Sequence, residues 1–208
     1  MVRTLLDGYK TQTRRTVKLR SKTLIYDLDS AWTDGAANSQ YLHVPCHHKN
    51  DTPGDSTSTR VSCPHGSIGD QLWVRETFNG PMWFGEDEPE DSRTPKYCHY
   101  AATEAGRPEY MDADDNLRQG WKPSIHMPRW ASRITLEITG VRVERLQDIS
   151  ESDAEAEGIK SDYLDMFQPG DNPFAKWAYR ELWESINGAG SWDANPWVWC
   201  VEFKRITP

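Results

Sequence analysis

The sequence predicts a mixed α+β domain in which several strands form a barrel and a few helices lie at its periphery. Two segments with alternating apolar residues indicate strands, residues 133–138 and 197–206. A third strand is expected at residues 71–78, which follow a Gly-Asp turn and contain β-branched and aromatic residues. At 208 residues the chain is long enough for one domain with its own core.

Three helices are expected, and each has a recognisable end. Residues 1–7 carry apolar side chains at i, i+3 and i+4, and Gly8 is the natural terminator. A capping box at residues 150–153 starts a second helix at about Glu151, which ends at Gly158. Asn172-Pro173 starts a third helix, closed by Asn187-Gly188. Its predicted buried stripe consists of Phe174, Trp177, Ala178, Leu182 and Ile186.

The rest of the chain is predicted to be insertions within a single domain spanning residues 1–208. Residues 27–66 are polar and lack periodicity, so we expect a long irregular excursion there. Residues 80–120 form a second insertion, with a short strand at 97–102 and loop at 105–119. The first insertion contains a candidate tetrahedral zinc set. The spacing within each Cys-x-His pair is one residue shorter than usual, so we expect free thiols and surface histidines rather than a metal site. That set is Cys46, His48, Cys63 and His65.

Composition narrows the classes of function. A net charge of −8 argues against indiscriminate nucleic-acid binding, although basic residues cluster near the N-terminus. Four scattered cysteines do not suggest a disulfide framework. No segment is long and apolar enough to span a membrane and no signal peptide is evident, so we expect a soluble cytoplasmic protein. No cofactor is expected, and the oligomeric state is left open.

Two central segments supply candidate binding residues. In the strand at 71–78, we expect at least one of Arg75 and Glu76 to face a polar cavity, the alternative being a pair on a half-exposed strand, and Trp73 beside them is a candidate to stack on a ring. Residues 121–130 contain two prolines among large apolar residues, which is typical of a segment packed against a pocket wall. His126, Arg129 and Trp130 are then candidate groups at that pocket.

The chemistry is expected to lie near the N-terminus. Residues 8–15 combine three cations with hydroxyl and amide side chains, so they form either an anion or reaction site or a solvated basic segment. Far along the chain, Glu157 falls at the end of a short helix, where the dipole disfavours a carboxylate unless water or a cation compensates. Lys10 is a candidate partner, and a Lys–carboxylate pair beside Thr13 contains the parts of a nucleophile and a base.

These residues resemble a known family signature. Gly8-x-Lys10-x-x-Thr13-x-Arg15 resembles the Gly-x-Lys-x-x-Glu-x-Arg signature of the ASCH domain family, which belongs to the PUA-like β-barrels. The similarity extends to Gly69-Asp70-x-Leu72 and to the closing strand, and the chain also looks like long ASCH-like proteins of phages and prophages. The resemblance implies a PUA-like mixed barrel with peripheral helices and long insertions.

Thr13 and the segment Ala154-Glu155-Ala156-Glu157 resemble a subgroup of this family, the amidohydrolases that deacylate N-acylated cytidine. The resemblance implies a catalytic set of Lys10, Thr13 and Glu157. Thr13 would attack the amide or orient a water, Lys10 would remove its proton, and Glu157 would protonate the leaving amine. Backbone N–H groups or Arg15 would stabilise the oxyanion, and Trp73, Trp121 or Trp130 would stack on the pyrimidine. The alternatives are a non-catalytic module that binds RNA or a modified base, and a ribonuclease.

Overall fold

The computed structural model describes residues 2–19, 24–35, 39–48, 57–82, 90–111, 114, 116–159 and 174–206. The chain is mixed α+β, as predicted, and strands dominate it. The helices are α1 (Val2–Leu6), α2 (Glu151–Ala156) and α3 (Ala175–Asn187). The strands are β1 (Gln12–Thr16), β2 (Leu24–Tyr26), β3 (Tyr41–His48), β4 (Thr57–Ser62), β5 (Gln71–Trp73), β6 (Phe78–Asn79), β7 (His99–Tyr100), β8 (Glu109–Met111), β9 (Leu117–Gln119), β10 (Thr135–Arg145) and β11 (Trp197–Ile206).

The chain divides into two compact units, each built from separate segments. The first contains residues 1–7, 71–137 and 205–208, and the second contains residues 8–70 and 138–204. In the first unit, β5 pairs antiparallel with the start of β10, and two further pairs are β6 with β7 and β8 with β9. The strand expected at 97–102 is therefore confirmed. The loop expected at 105–119 is wrong, because short polar strands lack the apolar alternation on which the prediction depended.

The main sheet of the second unit is formed by β1, β11 and most of β10. β1 runs antiparallel to β11, with Arg14 opposite Cys200, and β11 lies beside β10. The predicted closing strand is confirmed over its full length. β10 continues through Gly140, where a Cβ atom would lie 2.6 Å from Glu202 Oε2. Gly140 thus allows the side chain of a neighbouring strand to approach closely.

A second sheet of this unit lies within the segment predicted to be irregular. β3 is central and pairs antiparallel with β2 and β4. Leu42, Val44 and Cys46 alternate along β3 and are buried, at 0, 0 and 3 % exposure. The prediction of an irregular excursion over residues 27–66 is therefore wrong. Polar and aromatic residues alternate with Leu42, Val44 and Cys46 along this strand, and the short apolar set was too small to reveal it in the sequence.

In the second unit α2 has both predicted ends, whereas α3 has the predicted C-terminal end but a different buried face. Ser150 caps α2 by accepting a hydrogen bond from the Asp153 amide at 3.1 Å. Gly188 follows α3 at a φ of +97°. The predicted stripe of α3 is wrong, because its large residues are exposed, and Ala175, Tyr179 and Trp183 are buried instead. Asn172 and Pro173, the predicted start of that helix, lie outside the described residues.

Candidate functional site

β1 presents a row of polar side chains to the interior of the second unit. Lys10, Gln12 and Arg14 lie two residues apart, and their exposed fractions are 7, 9 and 3 %. Successive side chains of a strand point to opposite faces, so alternate residues share one face. Gly8, at a φ of +79°, ends the turn before this row in a conformation that favours glycine. The predicted helix and its terminator are both present.

The C-terminal end of α2 brings Glu157 to this row. The Thr11 amide donates a hydrogen bond of 2.8 Å to the Ala156 carbonyl, and Lys10 and Glu157 form an isolated antiparallel bridge. The backbone therefore joins two positions that lie 147 residues apart in the sequence. Glu157 is the C-cap residue of the helix. The expected unfavourable interaction with the helix dipole is offset by cations from β1.

The Lys10 side chain binds Glu157 at two points. Lys10 Nζ donates to Glu157 Oε2 and to the Glu157 backbone carbonyl, each at 2.7 Å. Both residues are 7 % exposed. Arg14 adds a longer contact of 3.3 Å to Glu157 Oε1. The Lys10–Glu157 pairing that the sequence suggested is thus present, and it is shielded from most of the solvent.

Arg14 is the hub of the wider cluster. Its guanidinium donates to Glu144 Oε1 at 2.9 Å from Nε and 2.6 Å from NH2. The same NH2 lies 3.1 Å from Asp153 Oδ2. Burial alone lowers the pKa of Arg14, whereas the charges of Glu144 and Glu157 and the hydrogen bond to Glu144 raise it, and the net pKa lies above its usual value. Arg14 therefore stays a cation among the carboxylates.

Arg142 on β10 extends this cluster. It donates to Glu144 Oε2 and to Asp153 Oδ2, each at 2.9 Å, and it also pairs with Glu202. Burial by itself would raise the pKa of Asp153. The hydrogen bond from Gln12 and the charges of Arg142 and Arg14 together lower the pKa by more than burial raises it, so the net shift is downward. We call this set the cation–carboxylate cluster. Its charged members are three cations and four carboxylates, namely Lys10, Arg14, Arg142, Glu144, Asp153, Glu157 and Glu202.

Two neutral groups border the cluster. Cys200 on β11 is fully buried, and its thiol donates to Gln12 Oε1 at 3.3 Å. Burial raises the pKa of this thiol to about 12. Tyr179 on α3 is 4 % exposed. Burial and then the charge of Glu157 raise the pKa of its phenol, so the hydroxyl stays protonated beside the carboxylate.

Sequence reasoning missed most of this cluster, although β1 carried a usable signal. Gln12 and Arg14 share the strand face of Lys10, and the period of two would have selected them. The signature drew attention to Thr13 and Arg15 instead, which belong to the opposite face. Among the described residues, the Thr13 hydroxyl makes no hydrogen bond to Lys10 or Glu157. Arg15 is exposed. The pKa of His65 is lowered mainly by the burial of its own ring and, to a smaller extent, by the charge of Arg15.

Five of the six residues predicted to bind substrate lie in the first unit, and the sixth, Arg15, lies in the second. Glu76 is 2 % exposed, and both its oxygens accept from Arg133 at 2.9 Å. Trp73 is half-buried, with the guanidinium of Arg129 at 5.9 Å from its ring. His126 and Arg129 are exposed, and Trp130 packs beside the core formed by Phe78, Tyr100, Met127 and Ala131. Substrate binding by these residues stays a prediction.

Three of the four candidate zinc ligands, Cys46, Cys63 and His65, have described side chains. Cys46 is buried, with its sulphur 3.7 Å from Thr57 Oγ1. Cys63 and His65 are described, whereas the side chain of His48 lies outside the described residues. Within the described part of the chain, no group of three or more His, Cys, Asp or Glu side chains could hold a metal ion.

Comparison with known proteins found no matching family model, curated protein or solved structure. The resemblance to the ASCH family therefore depends on the residues of this chain alone. In the part of the chain that is described, none of the helices has the length and apolar character needed to cross a membrane.

Proposed function

We propose that the second unit is a PUA-like barrel of the ASCH type, and that its cation–carboxylate cluster hydrolyses the exocyclic amide of N-acylated cytidine. One observation carries the proposal, the 2.7 Å contact between Lys10 Nζ and Glu157 Oε2. These are the residues that the resemblance pairs in catalysis. Three antiparallel strands with peripheral helices in the same unit also support this fold.

The contacts of the pair suggest a division of roles. Lys10 is the donor and Glu157 the acceptor in their hydrogen bonds, so we assign proton acceptance to Glu157. Glu157 takes a proton from a water as the water oxygen bonds to the amide carbonyl carbon. The Lys10 ammonium donates to the carbonyl oxygen as it becomes negative. The carbon–nitrogen bond then breaks, and Glu157 returns the proton to the exocyclic nitrogen of cytosine.

Thr13 has a smaller part in this scheme than the resemblance implies. Its side chain belongs to the face of β1 opposite Lys10, so a water is the better candidate for the nucleophile. The same placement favours a second function, in which the cluster holds a modified nucleobase without cutting it. Buried charges that donate and accept hydrogen bonds suit recognition of a base as well as catalysis.

The test measures cytidine release from N-acetylcytidine by chromatography. We expect turnover by the native chain and a loss of about 10²- to 10⁴-fold in Glu157→Gln, the usual range for a general acid–base group. Lys10→Ala should lose a similar factor. Asp193→Asn is the matched control, because Asp193 forms an exposed pair with Arg180 at 3.5 Å, and its turnover should not change.

The Thr13→Val variant tests whether the nucleophile is a water or the Thr13 hydroxyl. Turnover within a few-fold of the native rate supports a water, whereas a loss as large as that of Glu157→Gln would restore threonine as the attacking group. The native chain could instead bind N-acetylcytidine in calorimetry, release no cytidine, and lose that binding in Glu157→Gln. This result would contradict hydrolysis and support the second function, binding of a modified base.

A further inference from the structure

The outer face of β3 carries aromatic rings that the cation–carboxylate cluster does not use. Leu42, Val44 and Cys46 point inward, so Tyr41 and His43 project from the opposite, outer face. These outer residues lie in the segment that the sequence predicted to be irregular, and no part of the family resemblance covers them.

The rings and a cation are arranged in register across this face. Trp32 pairs with His43 through two backbone hydrogen bonds of 3.0 and 2.8 Å. Their rings stack with a distance of 5.5 Å between centroids and an interplanar angle of 13°. Arg60 on β4 lies opposite His43, and its guanidinium stands 4.4 Å from the Tyr41 ring. We call Trp32, Tyr41, His43 and Arg60 the β3 outer face.

This face is open to solvent and has a favourable charge for an anion. Trp32 is 46 % and Tyr41 36 % exposed. β3 and β4 contain no Asp or Glu, in a chain with 32 acidic residues. Among the described residues, no carboxylate lies within ion-pair distance of Arg60. An exposed aromatic surface beside an exposed guanidinium offers stacking to bases and a charge to phosphate.

We propose that the β3 outer face binds single-stranded RNA by stacking bases on Trp32 and Tyr41. Arg60 contacts a phosphate, and the exposed hydroxyls of Ser58 and Ser62 on the same face of β4 contact the ribose. A serine hydroxyl both donates and accepts hydrogen bonds, which suits the ribose 2′-hydroxyl. This binding is separate from the proposed deacylation, because none of these residues belongs to the cation–carboxylate cluster.

The experiment measures fluorescence anisotropy of a labelled oligouridine of about ten nucleotides, within the site sizes of single-strand binding folds. We expect saturable binding by the native chain. Trp32→Ala and Tyr41→Ala should each weaken binding by about 5- to 150-fold, which corresponds to the loss of one stacked base. Trp177→Ala is the matched control, because Trp177 on α3 is 63 % exposed, and its affinity should not change. Trp32→Phe retains a ring and should recover most of the affinity if Trp32→Ala folds poorly.

Salt and competitors sharpen the test. Each phosphate contact on a single strand contributes a slope of about 0.7 in log K against log salt, so one arginine predicts a shallow slope that Arg60→Gln lowers by about that amount. The same-sequence duplex should bind far more weakly, and oligodeoxyuridine should bind less tightly than oligouridine. Equal or tighter DNA binding would overturn the assignment to RNA.

Two other results would overturn the proposal itself. One is no saturable binding at protein concentrations up to about 0.1 mM, the weak limit of non-specific affinity. The other is unchanged affinity in both alanine variants. The two proposals fail separately, because Trp32→Ala should still release cytidine from N-acetylcytidine and Glu157→Gln should still bind oligouridine.

Discussion

Two buried carboxylates, Glu157 in the second unit and Glu76 in the first, are held by ion pairs of different character. Arg133 donates to both oxygens of Glu76, and the Arg133 guanidinium stacks 3.9 Å from the Tyr100 ring. The Tyr100 hydroxyl in turn donates to the Ala131 carbonyl at 2.7 Å. One cation thus matches one carboxylate, and each polar group in this chain of contacts has a partner.

Glu157 belongs to a network in which carboxylates outnumber cations. Lys10 donates to one of its oxygens, and within the described ranges the other oxygen accepts a single contact, of 3.3 Å from Arg14. Arg14 also contacts Glu144 and Asp153. The comparison teaches that a one-to-one bidentate pair is suited to hold structure, whereas a shared and incompletely filled carboxylate keeps capacity to accept a further proton or donor.

The largest expected difference between these regions is in stability. Breaking a buried ion pair costs about 3–5 kcal/mol, because a charge is left without its partner. Arg14→Met removes the partner of three carboxylates, so we expect a loss of about 5 kcal/mol or more. Arg133→Met affects one carboxylate and should cost about 3 kcal/mol. Urea unfolding measures both, with Arg14→Lys as the control that keeps the charge. Equal losses would contradict the comparison.

Apolar replacement of both partners should separate structure from function. Exchanging a buried pair for apolar residues of similar size is often neutral for stability. Arg133→Met with Glu76→Leu should therefore recover most of the stability lost by Arg133→Met alone. Lys10→Met with Glu157→Leu should also fold, but it should release no cytidine from N-acetylcytidine. Deacylation by the second double variant would remove the pair from the mechanism.

Acid should destabilise the second unit through Asp153. The pKa of Asp153 is lower in the folded chain, so its stabilising effect is complete above the unfolded pKa of about 3.9. That effect is lost as the pH falls through the folded pKa, because the unfolded chain binds the proton first. Urea unfolding at several pH values below about 4 should therefore show a shallower pH dependence in Asp153→Asn. Asp148→Asn, at an exposed carboxylate, is the control and should follow the native curve.

The smallest expected effect concerns thiol reactivity in the two regions. Cys200 borders the cation–carboxylate cluster and is fully buried, and burial raises its pKa to about 12. Cys98 lies near Tyr100 and is partly exposed, although burial raises its pKa as well. Since the thiolate is the reactive form, iodoacetamide should label Cys98 slowly and Cys200 only after unfolding. Peptide mapping by mass spectrometry measures both, and equal labelling in the folded chain would show that the cluster opens to solvent.

Local signals predicted much of the fold. Ser150 and Gly158 at the ends of α2, Gly8 after α1 and the closing strand β11 all lie where the sequence indicated. These features depend on neighbours within about four residues, which the sequence displays directly. The predicted buried face of α3 was wrong because both sides of that helix carry large apolar residues. Periodicity therefore did not distinguish the buried Tyr179 and Trp183 from the exposed Trp177.

The sequence by itself determined that Lys10, Gln12 and Arg14 share one face once this segment is extended, although it did not predict the strand β1 that extends it. It also singled out Glu157 as a carboxylate that needed a compensating charge. Only the tertiary structure decided that Glu157 meets Lys10, and that Glu144 and Asp153 gather at Arg14. The physical reason is that a buried charge is stabilised by partners brought together by the path of the whole chain, which no local pattern records.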